Sequence, residues 1–407
     1  MDLTFISQPS YFFFLYPAAV YTLFFGLGWF VKWYWILPGL LLWYVQTNFL
    51  WNHVPLGRTY PPVISEHFKL SYPHDRNLPV LELYDTTPYE RGYWHARALY
   101  PQIVPFIHRL KVIQFLLPVV TEAVVIPEKI EEELRGFAQG YNDMGTDHLT
   151  YEFVLRYHML PDLKNKHSII SAACTTILGR ELTNDLYIAR NTDWCPFGTG
   201  GSDSLIITYR ANNRTLHMFG PPGFIGVGAG TNEDLSLCMN VCPGVQHKGI
   251  PSSLFNKLLL ETYEGSLERV MDYVDHFPPL GSFHLTLANV HGEGRVIRFY
   301  QQSKFLEDTR HMVTELKEFK PLSVFNYFHP EKKVHSFDSV TRERLFKQQL
   351  SQVQHFDAVV ASKFLQTPGV NAWMTIHHMM FFPVRRTLLI SRGNGWAATE
   401  PYVEYQY

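Results

Sequence analysis

Cys174, Arg190 and Asp193 are the residues whose types and spacing carry a chemistry. The chain reads Ser171-Ala172-Ala173-Cys174-Thr175-Thr176-Ile177-Leu178. After a turn at Thr183-Asn184-Asp185 it continues Leu186-Tyr187-Ile188-Ala189-Arg190-Asn191-Thr192-Asp193-Trp194. Both runs have strand character, so the segment reads as a hairpin centred on residues 183–185. That centring puts Asp193 opposite Cys174 or Thr176, with the two on one face. It puts Arg190 on the other face, so a bulge near Asn191 is needed to bring both charges to the thiol. A cation beside a cysteine lowers the thiol pKa and favours the nucleophilic thiolate. On the residues alone two readings stand. One is an activated cysteine nucleophile; the other is a core cysteine beside a structural Arg–Asp pair.

Other reactive signals are missing. The sequence has no G-x-S-x-G elbow, no H-E-x-x-H, no C-x-x-C and no phosphate loop. Cys238 and Cys242 lie in a strand-like run and read as core cysteines. Gly223 to Gly230 is glycine-rich without dinucleotide spacing, so no cofactor follows from it.

The arginine sixteen positions after the cysteine and the aspartate nineteen after it, in an Arg190-Asn191-Thr192-Asp193 context, resemble a known pattern. It is that of the N-terminal-nucleophile cysteine hydrolases of the choloylglycine hydrolase type. That superfamily includes acid ceramidase, N-acylethanolamine acid amidase, bile-salt hydrolases and penicillin acyltransferases. Gly230-Thr231-Asn232-Glu233 resembles its glycine-then-Asn-Glu turn, and Val324-Phe325-Asn326-Tyr327 its strand end carrying a second asparagine. Asp338-Ser339-Val340-Thr341-Arg342 resembles the helix start that supplies a late arginine, with Arg344 a rival. Upstream, Pro88-Tyr89-Glu90-Arg91-Gly92-Tyr93 and Glu133-Leu134-Arg135-Gly136-Phe137-Ala138-Gln139-Gly140 are similar to the penicillin-acyltransferase branch, as is the ending Glu400-Pro401-Tyr402-Val403-Glu404-Tyr405. The resemblance covers residues 78–407.

It implies an α+β fold, the four-layer αββα N-terminal-nucleophile hydrolase architecture, and self-cleavage between Ala173 and Cys174. The freed α-amine, with a reference pKa of about 7.7–8.0, then serves as general base for its own residue's thiol. A Cys–His pair is the competing design. The resemblance gives Cys174 the attack on an amide carbonyl and makes Asn232 and Asn326 donors to the developing oxyanion. Asp193 accepts from the α-ammonium. Arg190 lowers the thiol pKa and holds Asp193, and Arg342 is the late arginine. It implies no cofactor and no metal. The resemblance makes residues 59–173 the α-chain part of the catalytic domain and 174–407 the β-chain part, while the apolar run from Leu3 to Gly57, not the resemblance, makes residues 1–58 a membrane-anchoring helical hairpin and linker.

The elements that must position these residues are legible in outline. A strand is predicted at 78–84. A helix opens at Pro88 with Thr87 as cap and runs toward Leu110; further helices cover 128–141 and 152–160. After residue 170 short strands dominate, at 175–178, 186–191, 204–209, 235–241, 284–289 and 295–300. Helices return at 253–263, 267–274 and 339–352, and strands at 372–381 and 387–391. That order predicts sheets covered by helices.

Composition narrows the function. Lys plus Arg is 35 and Asp plus Glu is 37, so there is no basic excess for nucleic acid. Four cysteines are too few for a disulfide framework. From Leu3 to Gly57 the only charged residue is Lys32, and the uncharged runs 11–31 and 33–52 are each long enough to span a bilayer. Trp29, Trp33, Tyr34, Trp35 and Trp51 fall near the expected span ends. A core hairpin is the soluble alternative. With Lys32 cytoplasmic, the membrane-anchored catalytic domain is expected on the extracytoplasmic or lumenal side. Anchoring favours an N-acyl lipid substrate, an N-acylethanolamine or a ceramide-like amide. The alternatives are an acyltransferase or small-amide hydrolase of the penicillin or bile-salt kind, and an inactive membrane-anchored binding protein.

Overall fold

Alternating and continuous apolar runs build sixteen strands among the described residues. In chain order they are β1 (Val63–Ile64), β2 (Phe68–Ser71), β3 (Val80–Leu83), β4 (Ala172–Arg180), β5 (Leu186–Trp194), β6 (Leu205–Ala211), β7 (Arg214–Gly220) and β8 (Ala229–Thr231). They continue with β9 (Leu235–Val241), β10 (Phe283–Asn289), β11 (Gly294–Phe299), β12 (His311–Glu315), β13 (Leu322–Val324), β14 (Thr375–Phe382), β15 (Thr387–Arg392) and β16 (Val403–Gln406). The structure, a computed structural model, describes residues 62–407 except 74–77, 85–86, 113, 115–118, 146, 163–171, 195–200, 202, 212, 243–247, 264, 300–310, 318–319, 327–336, 373 and 394. The apolar segment expected to anchor the chain lies outside the described residues. Among the described residues, no helix is long and apolar enough to cross a membrane.

The strands form two sheets. One has ten strands in the order β1-β2-β3-β6-β7-β8-β9-β10-β11-β12, and the other six in the order β13-β4-β5-β14-β15-β16. Neighbours are antiparallel except β3 and β6, which run parallel. Val80, Ile206, Phe219, Cys238 and Val296 of the larger sheet pack against Leu178, Ile188, Met379, Phe381 and Ile390 of the smaller. The outer face of the larger sheet is covered by α1 (Pro88–Ala98), α2 (Tyr100–Val112), α3 (Glu128–Asn142), α4 (Tyr151–His158), α5 (Ser252–Thr262) and α6 (Leu267–His276). The outer face of the smaller sheet packs Ile177, Tyr187, Ala189 and Met380 against α7 (Phe337–Gln352) and α8 (Ala358–Gln366). The layers are therefore αββα. Ile188 faces the other sheet while Tyr187 and Ala189 face helices, the period of two that leaves both faces of β5 buried.

The helix expected from Pro88 to Leu110 is two helices that meet at Leu99. Thr87 and Glu90 close a capping box at its start, as expected for the Thr-Pro opening. The tightest packing joins α1 and α3. A Cβ on Gly92 would lie 1.9 Å from the Glu133 carbonyl oxygen, and one on Gly136 1.9 Å from that of Tyr89. One on Gly140 would lie 2.2 Å from the Tyr93 carbonyl oxygen. The upstream glycine motifs are thus required by backbone-to-backbone contact.

Candidate active site

The β4–β5 hairpin places the thiol, but in a different register from that expected. Cys174 pairs with Thr192, and Asp193 pairs with Ala173. The turn occupies residues 181–185 and centres on Thr183. Asn184 takes a φ of 74°, its N–H donating to the Glu181 carbonyl, and the Glu181 N–H donates to the Asp185 carbonyl. That shift corrects the face assignment. Cys174, Arg190 and Thr192 share the face toward the ten-stranded sheet, and Thr175, Asn191 and Asp193 share the face toward α7 and α8. No bulge near Asn191 is needed to bring Arg190 to the sulfur. The irregularity lies instead in β14, between Thr375 and His377, where the Thr375 hydroxyl donates to Asp193 Oδ1 at 2.6 Å.

Each polar group of residue 174 is held by a side chain from a different element. Arg190 Nη2 donates to Cys174 Sγ at 3.2 Å and to the Met239 carbonyl at 2.6 Å, while its Nη1 bonds Thr192 Oγ1. The Cys174 N–H donates to Asn326 Oδ1 at 2.7 Å. β13 pairs with β4 as far as Val324 and Thr176. Asn326 therefore lies where the next ladder partner would be, and its side chain replaces that partner's carbonyl. Asn326 Nδ2 donates to the Val241 carbonyl at 2.5 Å. The Cys174 carbonyl accepts from Arg342 Nη1 at 2.7 Å and from Asn240 Nδ2 at 3.1 Å.

Arg342 sits on α7 and is almost fully buried. It also donates to Thr175 Oγ1 at 2.6 Å and to Asn326 Oδ1 at 3.1 Å, and lies 3.8 Å from Asp193 Oδ2. Arg344, two residues on, faces solvent. Five of the six expected residues, Cys174, Arg190, Asp193, Asn326 and Arg342, are thus gathered around one backbone position.

Asn232 is not among them. It closes the turn from β8 to β9, its Oδ1 accepting from Asp234 and Leu235 N–H at 2.9 and 2.7 Å. Its Nδ2 donates to the Leu260 carbonyl at 2.8 Å. From Leu235 to Met239, whose carbonyl meets Arg190, is four residues along a strand, about 13 Å. Asn232 therefore lies at the wrong end of β9, and its glycine-Asn-Glu motif is turn chemistry.

The asparagine that β9 does deliver is Asn240, which sequence reasoning missed. Its Nδ2 bonds the Cys174 and Val324 carbonyls, and its Oδ1 accepts from Thr176 Oγ1 at 2.6 Å. The available signal was a polar residue inside the apolar run Leu235–Val241. A buried asparagine must find partners, and here they are the backbone of the candidate nucleophile.

Cys238 and Cys242 are buried, and burial pushes the Cys238 thiol up to about 12 and the Cys242 thiol up as well. Such thiols are inert. The histidines of β14 are occupied elsewhere. His377 bonds Ser204 Oγ at 2.8 Å, and His378 bonds Asn191 Oδ1 at 2.7 Å. Burial drives His378 down to about 3, too low for a general base near neutrality. Among the described residues no group of His, Cys, Asp and Glu is arranged to hold a metal ion.

No protein-family model matches this chain, and no curated protein matches it. Solved structures do. An N-acylethanolamine-hydrolyzing acid amidase ortholog from Caenorhabditis elegans is 16% identical over 52% of this chain and 93% of its own, with a TM-score of 0.39. Penicillin V acylase from Agrobacterium tumefaciens is 10% identical over 54% and 83%, with a TM-score of 0.36. A conjugated bile acid hydrolase from Clostridium perfringens is 11% identical over 57% and 97%, with a TM-score of 0.37.

Proposed function

We propose that this chain is a self-processing amidohydrolase whose nucleophile is Cys174. The observation that carries the reading is the grip on residue 174: Arg190 on the sulfur, Asn326 on the nitrogen, Arg342 and Asn240 on the carbonyl. A core cysteine needs none of these. In this reading Sγ first attacks the Ala173 carbonyl carbon, the 173–174 peptide bond breaks, and its nitrogen leaves as the free α-amine of Cys174. Water then hydrolyses the Ala173 thioester. Asp193 sits opposite Ala173 in the ladder, beside the bond to be cut.

The new amine lies on the same residue as the thiol and takes its proton. Asn326 Oδ1, which now accepts from the amide, orients that amine. The thiolate attacks the substrate amide carbonyl. The α-ammonium protonates the departing amine, and water releases the acid from the thioester. Asn326 serves as the oxyanion donor; removing such a donor costs about 3–4 kcal/mol.

We propose an N-acyl lipid as substrate and a lumenal or extracytoplasmic membrane location, because residues 11–51 carry a bilayer-length apolar run with only Lys32 charged. The α1 and α3 motifs, which resemble the penicillin-acyltransferase branch, support an acyltransferase or small-amide hydrolase as the second reading. The test is hydrolysis of N-acylethanolamines, N-acylsphingosines, penicillin V and a glycine-conjugated bile acid by the full chain, by Cys174→Ala and by Cys238→Ala. The reading expects turnover of the lipid amides, lost in Cys174→Ala and kept in Cys238→Ala. Equal activity in the wild type and Cys174→Ala overturns it.

A further inference from the structure

Four charged side chains lie buried together between the helices and the ten-stranded sheet. Arg91 (α1) and Glu133 (α3) precede Cys174 in the chain, and Lys257 and Glu261 (α5) follow it. They form a ring of alternating sign. Arg91 is 3.4 Å from Glu133, Glu133 2.7 Å from Lys257, Lys257 2.5 Å from Glu261, and Glu261 3.6 Å from Arg91. All four side chains are at most 5% exposed, and Lys257 is wholly buried. Tyr209 of β6 closes the ring from one side. Its hydroxyl donates to Glu261 at 2.7 Å, and its ring lies 4.7 Å from the Arg91 guanidinium and 4.9 Å from Lys257 Nζ.

The arrangement is divided by position 174. Each side contributes one cation and one anion, and two of the four edges, Glu133–Lys257 and Glu261–Arg91, cross the division. Among the described residues, the ion pairs that cross it all belong to this ring. The other polar crossings use uncharged partners or the backbone, such as the Ile225 N–H on His158 and the Ser252 N–H on Asp162.

We infer that the ring is the key of an interface between the two fragments of the processed chain, each fragment being the other's obligate partner. The inference rests on the self-cleavage reading. Buried ion pairs add little stability over apolar packing but penalise any pairing that leaves one charge alone. Each half therefore carries a two-charge code. A slip of α5 by one helical turn against α1 and α3 sets like charges together or strands a charge in the core. The ring thus fixes how the fragment bearing Cys174 seats against the other once the covalent link is gone.

The test captures the processed wild-type protein through a C-terminal tag and follows release of the N-terminal fragment in urea. Lys257→Met and Glu133→Gln each leave the buried ring with one uncompensated charge and are expected to release the fragment at least about 100-fold faster. The double variant leaves Arg91 facing Glu261 and is expected to return to within about tenfold of wild type. Singles that release no faster than wild type, or a double as fast as the product of the singles, overturn the inference. Should Lys257→Met yield no folded chain, Glu133→Gln and the double carry the comparison. If the chain is not self-cleaved, a protease site placed within residues 163–171 of Cys174→Ala supplies the cut. The same comparison then judges the ring apart from the processing.

Discussion

Arg342→Gln is the substitution that reaches most of the site at once. The wild-type guanidinium donates to the Cys174 carbonyl, Thr175 Oγ1 and Asn326 Oδ1, and stands 3.8 Å from Asp193. Hydrogen bonds to a charged group contribute about 1.5–3 kcal/mol each, and Asn240 still serves the Cys174 carbonyl. Stranding a buried carboxylate by removing its cation costs about 3–5 kcal/mol. These terms overlap, so the expected loss is about 4 kcal/mol, which is about 5 °C in Tm for a domain of this size. The chain should still fold. Its nucleophile, freed to shift by a fraction of an ångström, should process and turn over about 100-fold more slowly. Melting by circular dichroism and the rate of fragment appearance on a gel measure both effects, with the solvent-facing Arg344→Gln as control. Wild-type processing and melting in Arg342→Gln would refute the reasoning, because the held carbonyl would then not matter.

Three further outcomes are expected. Burial raises the Asp162 carboxyl from an ordinary 3.8 to about 7, against hydrogen bonds from Ser252 that lower it. The folded chain thus keeps this proton longer than the unfolded one. Its contribution to stability is fully present below about pH 4 and is lost as the pH rises to about 7, by up to about 1.4 kcal/mol per unit. Melting at pH 4, 5.5 and 7 should show that slope in the wild type and a flatter one in Asp162→Asn. Gly136→Ala drives a Cβ into the Tyr89 carbonyl and should cost at least 1–3 kcal/mol by chemical denaturation, whereas Gly220→Ala, with nothing within 4 Å, should be tolerated. Asn232→Ala should lower stability by about 1–3 kcal/mol while processing and thiol labelling persist, whereas Asn240→Ala should slow processing. A processing defect in folded Asn232→Ala would contradict its placement at a turn.

The longer strands of the smaller sheet, β4, β5, β14 and β15, were legible because both of its faces are buried. β5 and β14 are runs rich in apolar residues, and the arginine and aspartate interrupt β5 where a site needs them. The register was not legible. It depends on whether the turn holds an odd number of residues centred on Thr183 or an even number centred between Thr183 and Asn184, because a one-residue shift in pairing moves Asp193 to the other face of the sheet relative to Cys174. Thr87 announced α1 through its cap, and Pro101 in the first turn of α2 is the local mark of the break at Leu99 that the helix expected to Leu110 ran through. The short β8, β13 and β16 carry too few residues for a period to register. Asn232 and Asn240 illustrate the same limit. Both are polar residues at or within a strand, and only the stacking of β9 on β4 decides which one meets the cysteine.

The most direct test of the central claim is the identity of the first residue of the C-terminal fragment. Intact mass and N-terminal sequencing of the purified protein should find a chain that begins at Cys174, and no such chain in Cys174→Ala. Fully active enzyme with an intact Ala173–Cys174 bond would contradict the account, since the base it assigns to the thiol would not exist.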